Sequence, residues 1–292
     1  MVGSIVIVRS AVFAAAALIC VAGASAWANE QGLTPAVSAP PPLPALTAPD
    51  IAPPRATSPK LAAPECIAAR PALATTGDLT GTGERLAAGG KLSILAIGSS
   101  TTAGTGTSSP AAAYPARLEA EIERRLPNVD VKVTVSGVGG ETATQTIARL
   151  EREVAQTKPD LVIWQVGTND ALSDVREDDF RSLVERGIAA TTAAGADLIL
   201  LDQQFFPSLR RKARYERFVQ IVRDAGMKKR ACVFGRYALM KEWGEESSET
   251  LKAMLSGDGF HMSDRGHACM ARILADEIVK ASFSQIHASG AI

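Results

Sequence analysis

Five short apolar runs, each followed by a longer segment of helical periodicity, constrain this chain more than any other feature of its sequence. The runs are residues 92–97, 129–135, 161–166, 198–202 and 231–234, each of strand length. Helical patterns lie over 114–126, stopped by Pro127, then around 144–156, 180–194 and 210–225, after the last run through 255, and again over 264–282. Short apolar strands separated by helices are joined by crossovers, which makes the sheet parallel and covers both of its faces. The expected fold is a three-layer α/β/α unit around a five-stranded, parallel, doubly wound sheet. In open sheets of this kind ligands bind beyond the carboxyl ends of the strands. The loops after the first three strands and the segment before the last helix are therefore where chemistry is expected.

Composition narrows the partners. The chain of 292 residues carries 31 basic and 31 acidic side chains, so it has no long-range field to gather nucleic acid. Residues 1–28 hold one charge, Arg9, and end in the small-residue sites Ala24-Ser25-Ala26 and Ala26-Trp27-Ala28. They read as a secretory signal, which implies an exported, periplasmic or extracellular protein. The apolar residues 5–8 ahead of Arg9 keep an uncleaved N-terminal anchor open as the alternative. Residues 29–85 read as a Pro/Ala-rich, largely disordered spacer, since 11 of the 16 prolines lie between Pro35 and Pro71. The folded domain is expected over 86–284, with 285–292 as a tail.

Three cysteines follow the signal, and in an oxidising compartment one pair can close, with three pairings open. Cys66 with Cys269 is the favoured candidate, because it would pin the end of the spacer to the domain. The alternative is that Cys232 and Cys269 are simply buried small hydrophobes.

Four loops carry residue types with a chemical use. The first is Gly98-Ser99-Ser100-Thr101-Thr102-Ala103-Gly104. It lacks both the G-x-G-x-x-G spacing and the Lys-Ser/Thr ending of a phosphate cradle. Its other use is to present a serine at a strand tip among small neighbours that let substrate approach. The second is Ser136-Gly137-Val138-Gly139-Gly140-Glu141-Thr142, where glycine lets a backbone N–H face an oxyanion closely, or simply makes a turn with positive φ. The third, Gly167-Thr168-Asn169-Asp170, offers the neutral amide donor of Asn169, or an Asx-turn. The fourth, Asp258-Gly259-Phe260-His261, places an acid three residues before an imidazole, close enough to fix one ring nitrogen. A second Asp-x-x-His, Asp264 to His267, falls where Ser263 looks like an N-cap and Asp264 like a first-turn acid, so His261 is preferred over His267.

Taken together and in this order, the four stretches resemble the SGNH hydrolases, also called the GDSL esterase/lipase superfamily, across residues 92–282. The resemblance implies a flavodoxin-like SGNH hydrolase fold and a serine esterase acting through an acyl-serine. It implies Ser100 as nucleophile and Asp258 and His261 as the other triad members. The oxyanion hole would be the backbone N–H groups of Ser100 and Gly140 with the Asn169 amide. One departure is visible, since Ser99 stands where the family usually has Asp before the nucleophile. No cofactor and no metal is expected, because His and Cys are too few and badly spaced for a ligand set.

The substrate is less legible. Nine basic residues lie between Arg210 and Arg230 against Glu216 and Asp224. They could hold an anionic polymer, although a solvated helix face is the favoured reading. Low aromatic content and the lack of a long apolar lid argue against a dedicated long-chain lipase. With the signal and the spacer, the expectation is removal of a short acyl group, acetyl first, from an envelope or extracellular carbohydrate, an acylated polysaccharide being the partner. Acyl transfer, or lysophospholipase- or thioesterase-like activity on the same triad, is the alternative, and a non-catalytic glycan-binding module is a third.

Overall fold

The computed structural model of the chain describes Cys66, Ala68, residues 70–74, Gly77 and residues 79–289, with side chains through Ser284. The signal read over 1–28 and the spacer as far as residue 65 lie outside the described residues. In chain order the elements are β1 (Leu73–Ala74), α1 (Thr80–Ala88), β2 (Lys91–Gly98), α2 (Ser100–Ala103), α3 (Tyr114–Arg125), β3 (Asp130–Gly137), α4 (Ala143–Thr157), β4 (Leu161–Gln165), α5 (Thr168–Leu172), α6 (Glu177–Ala193), β5 (Asp197–Leu201), α7 (Lys212–Lys229), β6 (Cys232–Phe234), α8 (Arg236–Glu246), α9 (Ser248–Met254) and α10 (Asp264–Ser289).

The sheet runs β1-β6-β5-β4-β2-β3. The five strands expected from the apolar runs pair in parallel, and β1 adds to the free edge of β6 antiparallel, Leu73 opposite Phe234. Chain order reverses at β2, which lies between β3 and β4. The crevice between the carboxyl ends of β2 and β4 is thus the topological switch point, where α/β sheets place their ligands.

The central strands β2, β4 and β5 are mostly apolar because both faces are covered. Leu92 and Ile94 of β2, Leu161 and Ile163 of β4, and Ile199 and Leu201 of β5 pack in one core with α1, α3, α8, α9 and α10. The intervening Leu95, Ile97, Val162, Trp164, Leu198 and Leu200 pack in a second core with α4, α6 and α7. Local sequence fixes several helix starts. Thr142 and Gln145 form a capping box on α4, and Glu177, Asp178 and Asp179 sit in the first turn of α6, where the helix dipole favours them.

Two expectations are corrected. The fold begins before residue 86, since β1 and α1 fall within the stretch read as spacer. A two-residue strand has no period to detect, and the sequence of α1, TGTGERLAA, contains two glycines and no side-chain cap. What holds α1 is tertiary contact: Leu79 and Leu86 are buried in the first core, and Asp197 accepts the Thr82 N–H at 2.6 Å. Second, the helical material before residue 255 is two helices. They break at Ser247, whose hydroxyl caps α9 by accepting the Thr250 N–H at 2.9 Å.

Cys66 and Cys269 are joined by a disulfide across 203 residues of sequence, with their Cα atoms 4.8 Å apart. It ties the segment ahead of β1 to α10, and Cys232 is buried in β6. Among the described residues no helix is long and apolar enough to cross a membrane.

Candidate active site

Ser100 opens the one-turn helix α2 directly beyond β2. The turn is held from beneath by a polar residue that ends β4. Gln165 accepts the Ser99 N–H at 2.8 Å through Oε1, and its Nε2 lies 3.0 Å from the Ser99 hydroxyl. Ser99, the departure from the usual family pattern, therefore spends its side chain inward on Gln165 and is 4% exposed.

His261 reaches the serine from the loop between α9 and α10. Its Nε2 is 3.0 Å from Ser100 Oγ, and its Nδ1 is 2.6 Å from Asp258 Oδ2. The other carboxylate oxygen of Asp258 accepts from the Ser256 hydroxyl at 2.7 Å and from the backbone N–H groups of Phe260 and His261, each at 2.9 Å. Partial burial acts to raise the Asp258 pKa. The hydrogen bonds from His261, Ser256 and the two backbone donors outweigh it and hold the carboxyl well below the usual carboxylate range. An ionised Asp258 facing Nδ1 keeps the ring proton there, so Nε2 is left as the acceptor for the serine hydroxyl. The ring edge of Phe260 packs on His261 at 4.7 Å, and Phe206 backs Phe260 at 4.8 Å. Gly106 lies against the same loop with φ +96°, and a Cβ there would stand 2.9 Å from His261 Cβ and 2.4 Å from the Met262 carbonyl. Only glycine permits that approach.

The loop after β3 lies beside the Ser100 turn, where a Cβ built on Gly139 would be 4.0 Å from Ser100 Cβ. Gly140 turns with φ +82° and has open space about it, as the turn reading expects. Asn169, in the first turn of α5, donates through Nδ2 to the Glu141 carbonyl at 2.7 Å. One of the two amide hydrogens is thus used to tie the loop after β4 to the loop after β3. The neighbouring Asp170 accepts the Ala143 N–H at the start of α4 at 2.9 and 3.1 Å, and burial pushes its carboxyl up to about 6. Arg149 on α4 completes the link from below. It donates to the Gly98 carbonyl at 3.0 Å and the Ser136 carbonyl at 2.7 Å, and it pairs with the Glu141 carboxylate.

The second Asp-x-x-His is structural. Asp264 accepts from the Ser108 N–H and hydroxyl at 2.8 and 2.6 Å, and buried His267 accepts the Tyr114 N–H through Nδ1 at 3.0 Å. Ser263 takes the N-cap position, accepting from the Gly266 N–H at 3.3 Å. Much of the basic stretch is also committed to the fold. Arg214 donates to the Ala171, Ser173 and Val175 carbonyls, Arg217 pairs with Glu177 at 2.8 Å, and Lys228 pairs with Glu185 at 3.0 Å. No group of three His, Cys, Asp or Glu side chains suited to a metal ion occurs among the described residues.

Gln165, Arg149 and Asp170 escaped sequence reasoning, as did Gln204 and Arg236, although a signal existed. Each of the strands β4, β5 and β6 is followed or ended by polar residues, Gln165, Asp202-Gln203-Gln204 and Arg236, at the carboxyl ends of the strands.

A family model described as the Non-GDSL lipase-like family matches residues 65–283. No curated protein sequence gives a significant match. Among solved structures, a two-domain esterase active on acetylated mannans is similar over 72% of this chain and 56% of its own, with 21% identity and a TM-score of 0.57. This chain therefore spans little more than half of that protein. A peptidoglycan O-acetylesterase is similar over 73% of this chain and 99% of its own, at 14% identity and a TM-score of 0.60. A lipase/acylhydrolase from Enterococcus faecalis is similar over 65% and 96%, at 24% identity and a TM-score of 0.53.

Proposed function

From a chain that belongs to the Non-GDSL lipase-like family, and so to the ester-bond hydrolases of SGNH type, we propose an exported serine esterase that removes short acyl groups, acetyl first, from an envelope or extracellular carbohydrate. The observation that carries the proposal is the unbroken hydrogen-bond chain from Ser100 Oγ through both nitrogens of His261 to Asp258.

In this reading Ser100 Oγ attacks the ester carbonyl carbon while His261 Nε2 takes the hydroxyl proton. Asp258 keeps the ring oriented and stabilises the imidazolium without itself taking the proton. Charge that develops on the carbonyl oxygen meets the N–H groups of Ser100 and Gly140 and the other hydrogen of Asn169 Nδ2, donors fixed before the reaction begins. Collapse of the tetrahedral intermediate expels the alcohol, which receives the proton from His261, and leaves an acyl-serine. Water activated by the same imidazole then attacks the acyl carbon, and the carboxylic acid leaves as Ser100 regains its proton.

The substrate class rests on two supports. Solved relatives of the same fold act on acetylated mannans and on peptidoglycan O-acetyl groups, as their names state. The Asp258 side chain at the mouth is 47% exposed, which fits an alcohol moiety that extends well beyond the site. Export rests on the N-terminal sequence alone.

The test is mass spectrometry of the products when acetylated envelope polysaccharide is treated with wild type and with Ser100→Ala. Release of acetate by wild type and not by the variant is expected. Equal release by both would refute the catalytic assignment, and hydrolysis of aryl acetate without any release from polysaccharide would refute the substrate.

A further inference from the structure

At the amino end of α8, one residue beyond the loop that leaves β6, Arg236 is completely buried. A guanidinium removed from water needs its donors filled, and here the partners are neutral and come from three different strand ends. Nε donates to the Asp202 carbonyl at 3.0 Å. One terminal nitrogen donates to Thr101 Oγ1 at 2.8 Å, and the other lies 3.4 Å from Thr168 Oγ1. The Asp202 carboxylate faces elsewhere, accepting the Tyr237 N–H at 2.8 Å with Arg223 3.7 Å from its second oxygen.

Thr101 follows Ser100, and Thr168 precedes Asn169. The planar fork thus holds the neighbours of the proposed nucleophile and of the proposed oxyanion donor in one rigid unit. Gln204 extends the unit to the third component. Its Oε1 accepts from the Thr101 hydroxyl at 3.1 Å, and its Nε2 donates to the carbonyl of Phe260, the residue before His261, at 3.0 Å. The Gln204 carbonyl is itself held by the Tyr215 hydroxyl at 2.8 Å.

We infer that Arg236 and Gln204 are positioning residues for the esterase reaction, setting the Ser100-to-His261 separation and the place of Asn169 through Thr101, Phe260 and Thr168. The inference rests on the reading of Ser100 and His261 given above. A displacement of about 1 Å between reacting groups is enough to slow chemistry by about a hundredfold, and Arg236, Gln204, Thr101 and Thr168 are all buried, away from the surface a substrate would approach. Loss of the clamp therefore lowers kcat and leaves KM nearly unchanged.

The experiment measures kcat and KM for a short-chain aryl ester, the rate of labelling by a fluorophosphonate probe, and Tm, for Arg236→Met, Arg236→Lys, Gln204→Leu and Thr101→Val. Thr101→Val keeps the shape of the side chain and leaves the guanidinium in place, so it and Gln204→Leu decide the matter if the Arg236 variants fail to fold. Expected is a kcat fall of about 10-fold to 100-fold with KM within about twofold, slower labelling in proportion, and no rescue by lysine, whose single ammonium cannot span the three partners. Combining Gln204→Leu with Thr101→Val should add little, since both cut the same link. If folded Thr101→Val and Gln204→Leu retain wild-type kcat while Ser100→Ala is inactive, the positioning role is overturned and the triad stands. If Ser100→Ala remains active, the underlying catalytic reading fails instead.

Discussion

Replacing Asp258 by Asn isolates one function of that side chain from the others. The native carboxylate accepts four hydrogen bonds, three of them on Oδ1 from Ser256, Phe260 N–H and His261 N–H, and one on Oδ2 from the His261 ring. An asparagine carbonyl at the Oδ1 position keeps the first three and so keeps the loop. Its NH2 group, however, presents hydrogens to Nδ1 at the 2.6 Å contact. The imidazole must then shift its proton to Nε2, where it faces Ser100 Oγ as a donor and cannot accept the serine proton. The expected fall in kcat is about 10⁴-fold, or about 5.5 kcal/mol at roughly 1.4 kcal/mol per decade, with KM little changed. Asp258→Ala should lose activity to a similar extent, but it also releases the three loop donors, so its Tm should drop while that of Asp258→Asn does not. Steady-state hydrolysis of aryl acetate, with melting curves for both variants, makes the comparison. More than a tenth of wild-type kcat in Asp258→Asn would refute the tautomer argument.

Other consequences are as direct. Asn169→Ala should lower kcat by about 10²- to 10³-fold, the effect of losing one oxyanion donor, and an unchanged kcat would remove Asn169 from the site. His267 is pushed down to about 4 by burial, so the folded protein holds it neutral. Its stabilising effect is complete above about pH 6.5 and is lost as pH falls toward 4, while Asp170 and Asp202, pushed up to about 6 by burial, take up protons and oppose the loss. His267→Gln, which keeps an acceptor for the Tyr114 N–H, should therefore lose about 2 kcal/mol less than wild type between pH 7 and pH 4.5 in chemical denaturation. Reduction of the Cys66–Cys269 bond, which closes a separation of 203 residues, should cost about 2 to 5 kcal/mol of stability, seen as a lower denaturant midpoint. An equal midpoint for Cys66→Ser and wild type would contradict it.

The parallel sheet was legible because burial on both faces writes strands as uninterrupted apolar runs, and β2, β4 and β5 are written that way. The short edge strand β1 and the glycine-bearing α1 were not, since their place is set by Phe234, Asp197 and α10, residues far along the chain. The break at Ser247 was readable in principle from a serine ahead of Glu249 and Thr250, but the apolar pattern on both sides masked it. In the candidate site, the residues proposed to act at a loop tip, Ser100, Asn169, Asp258 and His261, announce themselves by type and position. Those that hold the loops do not. Gln165, Gln204 and Arg236 show in the sequence only as polar residues at strand ends; like Arg149, each connects segments 30 or more residues apart, or loops on separate strands, and the identity of a partner chosen by three-dimensional proximity leaves no local pattern.

The central claim is that an acyl group resides covalently on Ser100 during turnover. Rapid acid quench of the enzyme with a short-chain aryl ester, followed by peptide mapping with mass spectrometry, tests it most directly. The account predicts one acyl increment on the peptide that carries Ser100, which accumulates with esters whose deacylation is slower than their acylation, and which is absent from Ser100→Ala. Full hydrolysis with no adduct on that peptide, or an adduct that persists in Ser100→Ala, would contradict it.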